Sequence, residues 1–155
     1  MEQVVIRKAT LNDLDTLLAF EQGIINAERP FDPTLKKEHT HYYDIEKMIE
    51  APEVELLVAE LGKEIIGSGY ARIENAKAYL QHQQHAYLGF MYVVPHHRGK
   101  GVNKMIIDAL TTWATAGNIT ELRLDVYQEN EAAIKAYERV GFAKHMIAMR
   151  KGLKG

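Results

Sequence analysis

The chain has 155 residues, of which 46% are hydrophobic and 26% charged, with a formal net charge of -2. That length suits one ordinary domain around a single core, and the near-neutral balance argues against a globally basic nucleic-acid binder. Without any cysteine there is no disulfide framework, thiolate nucleophile or thiolate metal site.

The first residues, MEQVVIRKATLNDLD, hold no basic segment followed by a long apolar run, and no stretch approaches membrane-spanning length. A cytoplasmic protein with no membrane attachment is therefore expected. Val4 to Lys8 reads as a strand, and Thr10 with Asp13 resembles a capping box opening a helix through about Gln22. Asn26 to Asp44 contains two prolines and no clean period, which predicts a long loop followed by a short helix. Val54 to Leu61 and Ile65 to Ile73 are apolar runs joined by Leu61-Gly62-Lys63-Glu64, the pattern of a hairpin. Ala86 to Val94, AYLGFMYVV, is the next strand and Pro95 stops it.

From Gly101 the apolar period changes. Val102, Met105, Ile106, Ala109, Leu110, Trp113 and Ala114 share one helical face, ending near Gly117-Asn118. In Glu121 to Tyr127, Leu122, Leu124 and Val126 alternate with Arg123, Asp125 and Tyr127, as on a strand. Asn130 is then a helix cap, Ala133, Ile134 and Tyr137 lie on one face, and Gly141 ends that helix. A final strand through about Arg150 completes an expected single domain over residues 1–155, an α/β fold on one sheet.

The stretch PHHRGKGVNK, Pro95 to Lys104, joins a strand to the clearest helix. Glycines at such a turn let backbone N–H groups approach a ligand, and a helix N-terminus with flanking cations favours an anion. It is neither GxxxxGK[ST] nor GxGxxG, and on its own it is equally compatible with a solvated basic connection.

Taken with LDVYQENEAAIKAYERVGF, Leu124 to Phe142, the turn resembles the GNAT superfamily of acyl-CoA-dependent N-acetyltransferases. Arg98, Gly99, Lys100 and Gly101 match the family's R/Q-x-x-G-x-G/A turn, although Asn103 stands at the last position where Gly or Ala is usual. Val126, Asn130, Ala133, Tyr137 and Gly141-Phe142 match the later motif. The likeness covers essentially the whole chain and implies a mixed, mostly antiparallel sheet flanked by helices, with acetyl-CoA as co-substrate. Edge strands of this fold often pair into a homodimer, and the sequence leaves monomer and dimer both open.

The resemblance also implies roles. Backbone amides from Gly99 to Lys104, including Val102 and Asn103, would hold the pyrophosphate beside Arg98 and Lys100. Val93 and Val94 would receive the pantetheine arm, with the Val93 N–H near the thioester oxygen, while Asn130 and Ala133 would flank that arm. Tyr137 would be the general acid toward the departing thiolate; read without the motif, it is a core tyrosine packed with Ala133 and Ile134. Asp125 matches the position of a carboxylate base, and its alternative is an ion pair with Arg123 or a neighbouring strand. Glu21, His85 and Tyr87 are held in reserve for that role.

Acetyl transfer requires a neutral amine, a stabilised oxyanion and a protonated leaving group. The acceptor side falls on Glu28 to Tyr43, where Phe31 or Tyr43 would pack on an apolar part of a small-molecule or peptide amine. Glu28 or Asp32 would attract an ammonium. The histidine pairs His39/His41, His82/His85 and His96/His97 have no carboxylate at ligand spacing in the sequence, so no metal is expected. A catalytically silent acyl-CoA-binding module and a nucleotide-phosphate site in another α/β enzyme are the alternatives. Silent binding predicts coenzyme A protection without thiol release; the nucleotide site predicts that adenine nucleotides bind as tightly as coenzyme A.

Overall fold

The computed structural model describes residues 2–154, which fall into two compact units divided between Asp125 and Val126. The first unit holds a five-stranded sheet in the order β1 (Val4–Lys8), β2 (Val54–Leu61), β3 (Glu64–Asn75), β4 (Gln84–Val93) and β5 (Leu122–Arg123). Neighbours run antiparallel except β4 and β5, which are parallel. This is the mixed, mostly antiparallel sheet that the resemblance implies.

Strand β2 is buried on both faces, as a central strand must be when helices cover both sides. Leu56 and Val58 join Leu17, Phe20, Ile45 and Met48 from α1 (Leu14–Glu28) and α2 (Ile45–Glu50), together with Tyr70 and Phe90. By alternation Leu57 and Ala59 point the other way. That face is covered by α3 (Val102–Ala116), which buries Val102, Ile106, Ile107, Leu110 and Ala114. Helix and sheet approach closely there: a Cβ added to Gly69 would lie 2.7 Å from Ile106 Cγ2. Met105, expected on the buried face, is 38% exposed, and Ile107 takes its place.

Three expectations are corrected. The first helix does not end near Gln22 but continues to Glu28, so the irregular stretch begins only at Arg29. Leu17, Phe20, Glu21 and Ile25 keep helical spacing on its buried side, and the sequence hid this by placing a glutamate and Gly23 in the middle. Gly23 is there for packing, since a Cβ would come within 2.8 Å of the Tyr92 ring. Second, the strand expected over Glu121 to Tyr127 is reduced to Leu122–Arg123.

Third, no strand forms through Arg150. Residues 143–154 have no regular structure and are exposed, Met146 at 80% and Met149 at 90%. A strand exists only as part of a ladder, and the second unit contains α4 (Glu131–Arg139) with no strand among the described residues. Asn130 caps α4 as expected: its Oδ1 accepts from the Ala133 N–H at 3.3 Å.

Candidate functional site

Strand β4 carries a bulge. The register passes from Tyr70↔Gly89 to Ser68↔Tyr92, so Phe90 and Met91 together oppose Gly69. Phe90 adopts φ 57°, a left-handed conformation that is costly for a bulky side chain. Two contacts hold it there: the buried Ser68 hydroxyl donates to the Phe90 carbonyl at 2.9 Å, and Tyr43 stacks on the Phe90 ring at 4.7 Å. Bulges bend a strand and re-aim its groups beside a site.

Beyond the bulge the outer edge of β4 has no ladder partner among the described residues, because β5 pairs only with Ala86 and Tyr87. Val94 N–H donates back to Ile66 at 2.9 Å, so by alternation the Val93 N–H and carbonyl face that open edge. The Val93 carbonyl accepts from Arg98 Nε at 2.9 Å, and the guanidinium lies 5.6 Å from the Tyr92 ring centroid. Arg98 thus ties the glycine turn to the strand end.

The turn itself follows from its glycines. Gly99 and Gly101 have φ of 77° and 83°, and nothing lies within 4 Å of a Cβ built on either. They are required by backbone conformation, not by crowding. Gly101 occupies the N-cap of α3 without a side-chain cap, and the first helical bond runs from Met105 N–H to Gly101. The amides of Val102, Asn103 and Lys104 therefore have no intrahelical acceptor, no acidic side chain stands in the first turn, and Lys100 and Lys104 are exposed. Such an end can receive a phosphate. Gly101→Val is expected to cost about 1–3 kcal/mol of stability through the forced positive φ and to weaken coenzyme A binding at least tenfold, measured by calorimetry.

On the α1/α2 face of the same sheet, a row of aromatic and charged side chains runs from the bulge to β5. Tyr43 meets Tyr70 at 5.8 Å, Arg72 lies 5.5 Å from the Tyr70 ring and 5.8 Å from the Tyr87 ring, and Tyr87 donates to Asp125 Oδ2 at 3.2 Å. Burial, and then the Asp125 charge beside it, pushes the Tyr87 phenol well above its ordinary value, so it stays protonated and donates. Asp125 is therefore not paired with Arg123, which binds Glu121 at 2.8 Å instead. Tyr70, Arg72 and the Ser68–Phe90 clamp were missed by sequence reasoning. The available signal was the alternation Ser68, Tyr70, Arg72, Glu74 between glycines, which marks one face of a strand.

The acceptor-side residues have different fates. Glu28 accepts from the Tyr42 hydroxyl at 2.8 Å, and burial raises its carboxyl above the usual range. Asp32 accepts from its neighbour Thr34 N–H at 2.9 Å, and Phe31 is half-buried. Tyr43 is packed into the bulge contact, and burial raises its phenol. Glu21, one of the reserves for the base, is fully buried and structural: it meets His41 Nδ1 at 2.6 Å and accepts the N–H groups of Tyr42 and Tyr43 at 2.8 Å. It pins the loop that supplies Tyr43. In the second unit, the Tyr137 and Phe142 rings meet edge-on at 5.9 Å.

The fold brings to two of the histidine pairs carboxylates that the sequence spacing does not offer. His82 and His85 stand with Glu121, and His96 and His97 with Glu64, carboxylates distant in sequence.

The model of the acetyltransferase (GNAT) family matches residues 22–142. The chain is 38% identical over 56 residues to the uncharacterized N-acetyltransferase YobR and 35% identical over 71 residues to the uncharacterized N-acetyltransferase YycN, both of Bacillus subtilis (strain 168). Those alignments span 36% and 46% of this chain, and only 23% and 46% of the two relatives. A predicted acetyltransferase from Clostridium acetobutylicum, determined with acetyl-CoA, superposes with a TM-score of 0.72 at 19% identity over 97% of both chains. With the family model spanning the glycine turn, the bulged strand and the Asn130–Phe142 motif, the chain belongs to the acetyltransferase (GNAT) family.

Proposed function

We propose that the chain transfers the acetyl group of acetyl-CoA to a primary amine by direct attack in a ternary complex. The observation that carries this reading is the uncapped α3 N-terminus, Gly101 to Lys104, seated at the end of a bulged strand whose outer edge has no ladder partner among the described residues. The pyrophosphate would take the amides of Gly99 to Lys104, and the pantetheine arm would lie along β4 as an added strand partner. The Val93 N–H, turned to that edge, would donate to the thioester oxygen as negative charge develops there.

The amine must lose a proton before or during attack. Asp125, which accepts the Tyr87 hydroxyl, would take it directly or through water, and Tyr137 would return a proton to the departing thiolate. Asn130 is available to the pantetheine arm because its Oδ1 makes the helix cap while its amide nitrogen takes no part in that bond. Glu28 and Phe31 border the acceptor in this reading, whereas Asp32 and Tyr43 support the loop through Thr34 and Phe90.

The test is release of free thiol from acetyl-CoA over a panel of peptide N-termini, lysine, polyamines, aminoglycosides and small amines. Release that depends on one amine class is the expected result. Thermal protection by coenzyme A with no release from any amine would replace the transferase by a silent acyl-CoA-binding module. Protection by adenine nucleotides as strong as that by coenzyme A would overturn the pantetheine assignment.

A further inference from the structure

We propose that His82, His85 and Glu121 bind one divalent transition-metal ion of the Zn2+ type, and that this ion clips the start of β4 to the start of β5. His82 lies in the connection before β4, His85 is the second residue of β4, and Glu121 immediately precedes β5. The three bring one ligand atom each to within 4.8 Å of one another.

The independent observation is one unpartnered buried nitrogen, on His85, beside a second, on His82, that lacks an aligned hydrogen bond. His82 Nε2 and His85 Nδ1 are both buried and neither has a hydrogen-bond partner. His82 Nε2 lies 2.9 Å from Glu121 Oε2 without the alignment of a hydrogen bond. Buried polar atoms without partners are rare and call for an explanation, and one cation held by both rings and Glu121 would supply it.

The surroundings have the organisation of a metal site. His85 Nε2 stands 3.3 Å from Glu74 Oε1; when it donates there, Nδ1 carries the lone pair, the carboxylate–histidine arrangement that orients a metal ligand. Glu121 is held at Oε2 by Arg123 Nε at 2.8 Å. Two imidazole nitrogens and one carboxylate oxygen suit Zn2+, Co2+ or Ni2+, not Mg2+ or Ca2+, which prefer oxygen donors. A cleft of about 440 Å³ lined by His82, Gln83, Asn118 and Thr120 opens beside His82 and offers an entry path.

The role is structural. Eight residues along β4, or roughly 25 Å at about 3.3 Å each, separate His85 from Val93 and the glycine turn. What the ion would hold is the β4–β5 junction, whose ladder is only Ala86↔Leu122 and Tyr87↔Arg123. Tyr87 is also the residue that donates to Asp125, so the clip would fix the base end of the sheet.

Calorimetric titration of the tag-free chain with Zn2+, paired with the visible spectrum of the Co2+ form and thermal unfolding, tests the site without any activity assay. We expect one equivalent bound with micromolar or tighter affinity and a rise in Tm. His82→Gln and Glu121→Gln, whose side chains are 23% and 40% exposed and whose replacement spares the core, should each lose at least about 100-fold in affinity. Glu74→Gln should lose about 10–100-fold. The His96→Gln/His97→Gln double variant should bind as the parent does, because the Glu64 cluster is largely exposed and its ring nitrogens are not orphaned. No saturation at one equivalent, binding that survives His82→Gln and Glu121→Gln, or binding lost in the double variant would each overturn the assignment.

Discussion

Tyr137→Phe should lower acetyl-CoA-dependent thiol release by at least about 100-fold in kcat, the lower range for loss of a positioned general acid, while coenzyme A still protects the protein from unfolding. The substitution is conservative for the helix. Phenylalanine keeps the ring, and hence the edge-on contact with Phe142 at 5.9 Å, and it is tolerated at this position within α4. What is removed is one O–H, so a fall in kcat without a matching rise in KM isolates the proton delivered to the thiolate. A thiolate is a tolerable leaving group near neutral pH, since thiol pKa values lie near 8.5. A wild-type rate in the variant would therefore mean that the thiolate leaves unassisted and that Tyr137 only packs. Asp125→Asn offers the complementary reading: if Asp125 takes the amine proton, its loss is partly repaired at high pH, where the free amine is abundant, whereas loss of Tyr137 is not.

The parts of the fold that were legible in the sequence are those set by local physics. The hairpin from Val54 to Asn75 and the α3 stripe follow from period, and Gly99 and Gly101 have the positive φ that a glycine-rich turn implies. What was illegible depends on partners distant in the chain. The bulge at Phe90 is held by Ser68 and Tyr43, and nothing in AYLGFMYVV announces that two of its residues will oppose one glycine. Glu21 reads in the sequence as a reserve for the base, and its structural role shows only where His41, Tyr42 and Tyr43 close on it. Glu121 joins His82 and His85 only because β5 lies parallel to β4. Alternation read Glu121 to Tyr127 as a full strand, but a two-residue ladder is all that β4 offers it, and the open edge beyond is the feature the proposed chemistry needs.

Asp13→Ala should cost about 3 kcal/mol, the lower range for breaking one partner of a buried ion pair, and lower Tm by roughly 6–12 °C at the few degrees per kcal/mol usual for a chain of this size. Both Asp13 oxygens are engaged by Arg7 at 2.9 Å, Oδ2 also accepts the Thr10 N–H at 2.8 Å, and the Asp13 side chain is 7% exposed. Arg7 reaches on to Glu60 at 3.2 Å. One carboxylate thus joins β1, β2 and the start of α1, and its removal leaves a half-buried guanidinium with Glu60 and the Lys8 carbonyl in place of a bidentate carboxylate. The sign of the pH dependence follows from the same contacts. Arg7, aided by the Thr10 amide and opposed by burial, holds the Asp13 carboxyl below its ordinary value. Its contribution is therefore fully present above the unfolded carboxylate range, near pH 4, and is lost as pH falls through the lower folded value. Denaturant unfolding at pH 7 and at stepwise lower pH should show the gap between wild type and Asp13→Asn closing only in acid. Asparagine keeps the shape and an oxygen for the Thr10 N–H, so this comparison reports the charge. A gap below 1 kcal/mol at pH 7, or one that stays constant into acid, would reduce the Arg7–Asp13 pair to a contact without stabilising weight and shift the docking of α1 onto the sheet to Leu17, Phe20 and Ile25 alone.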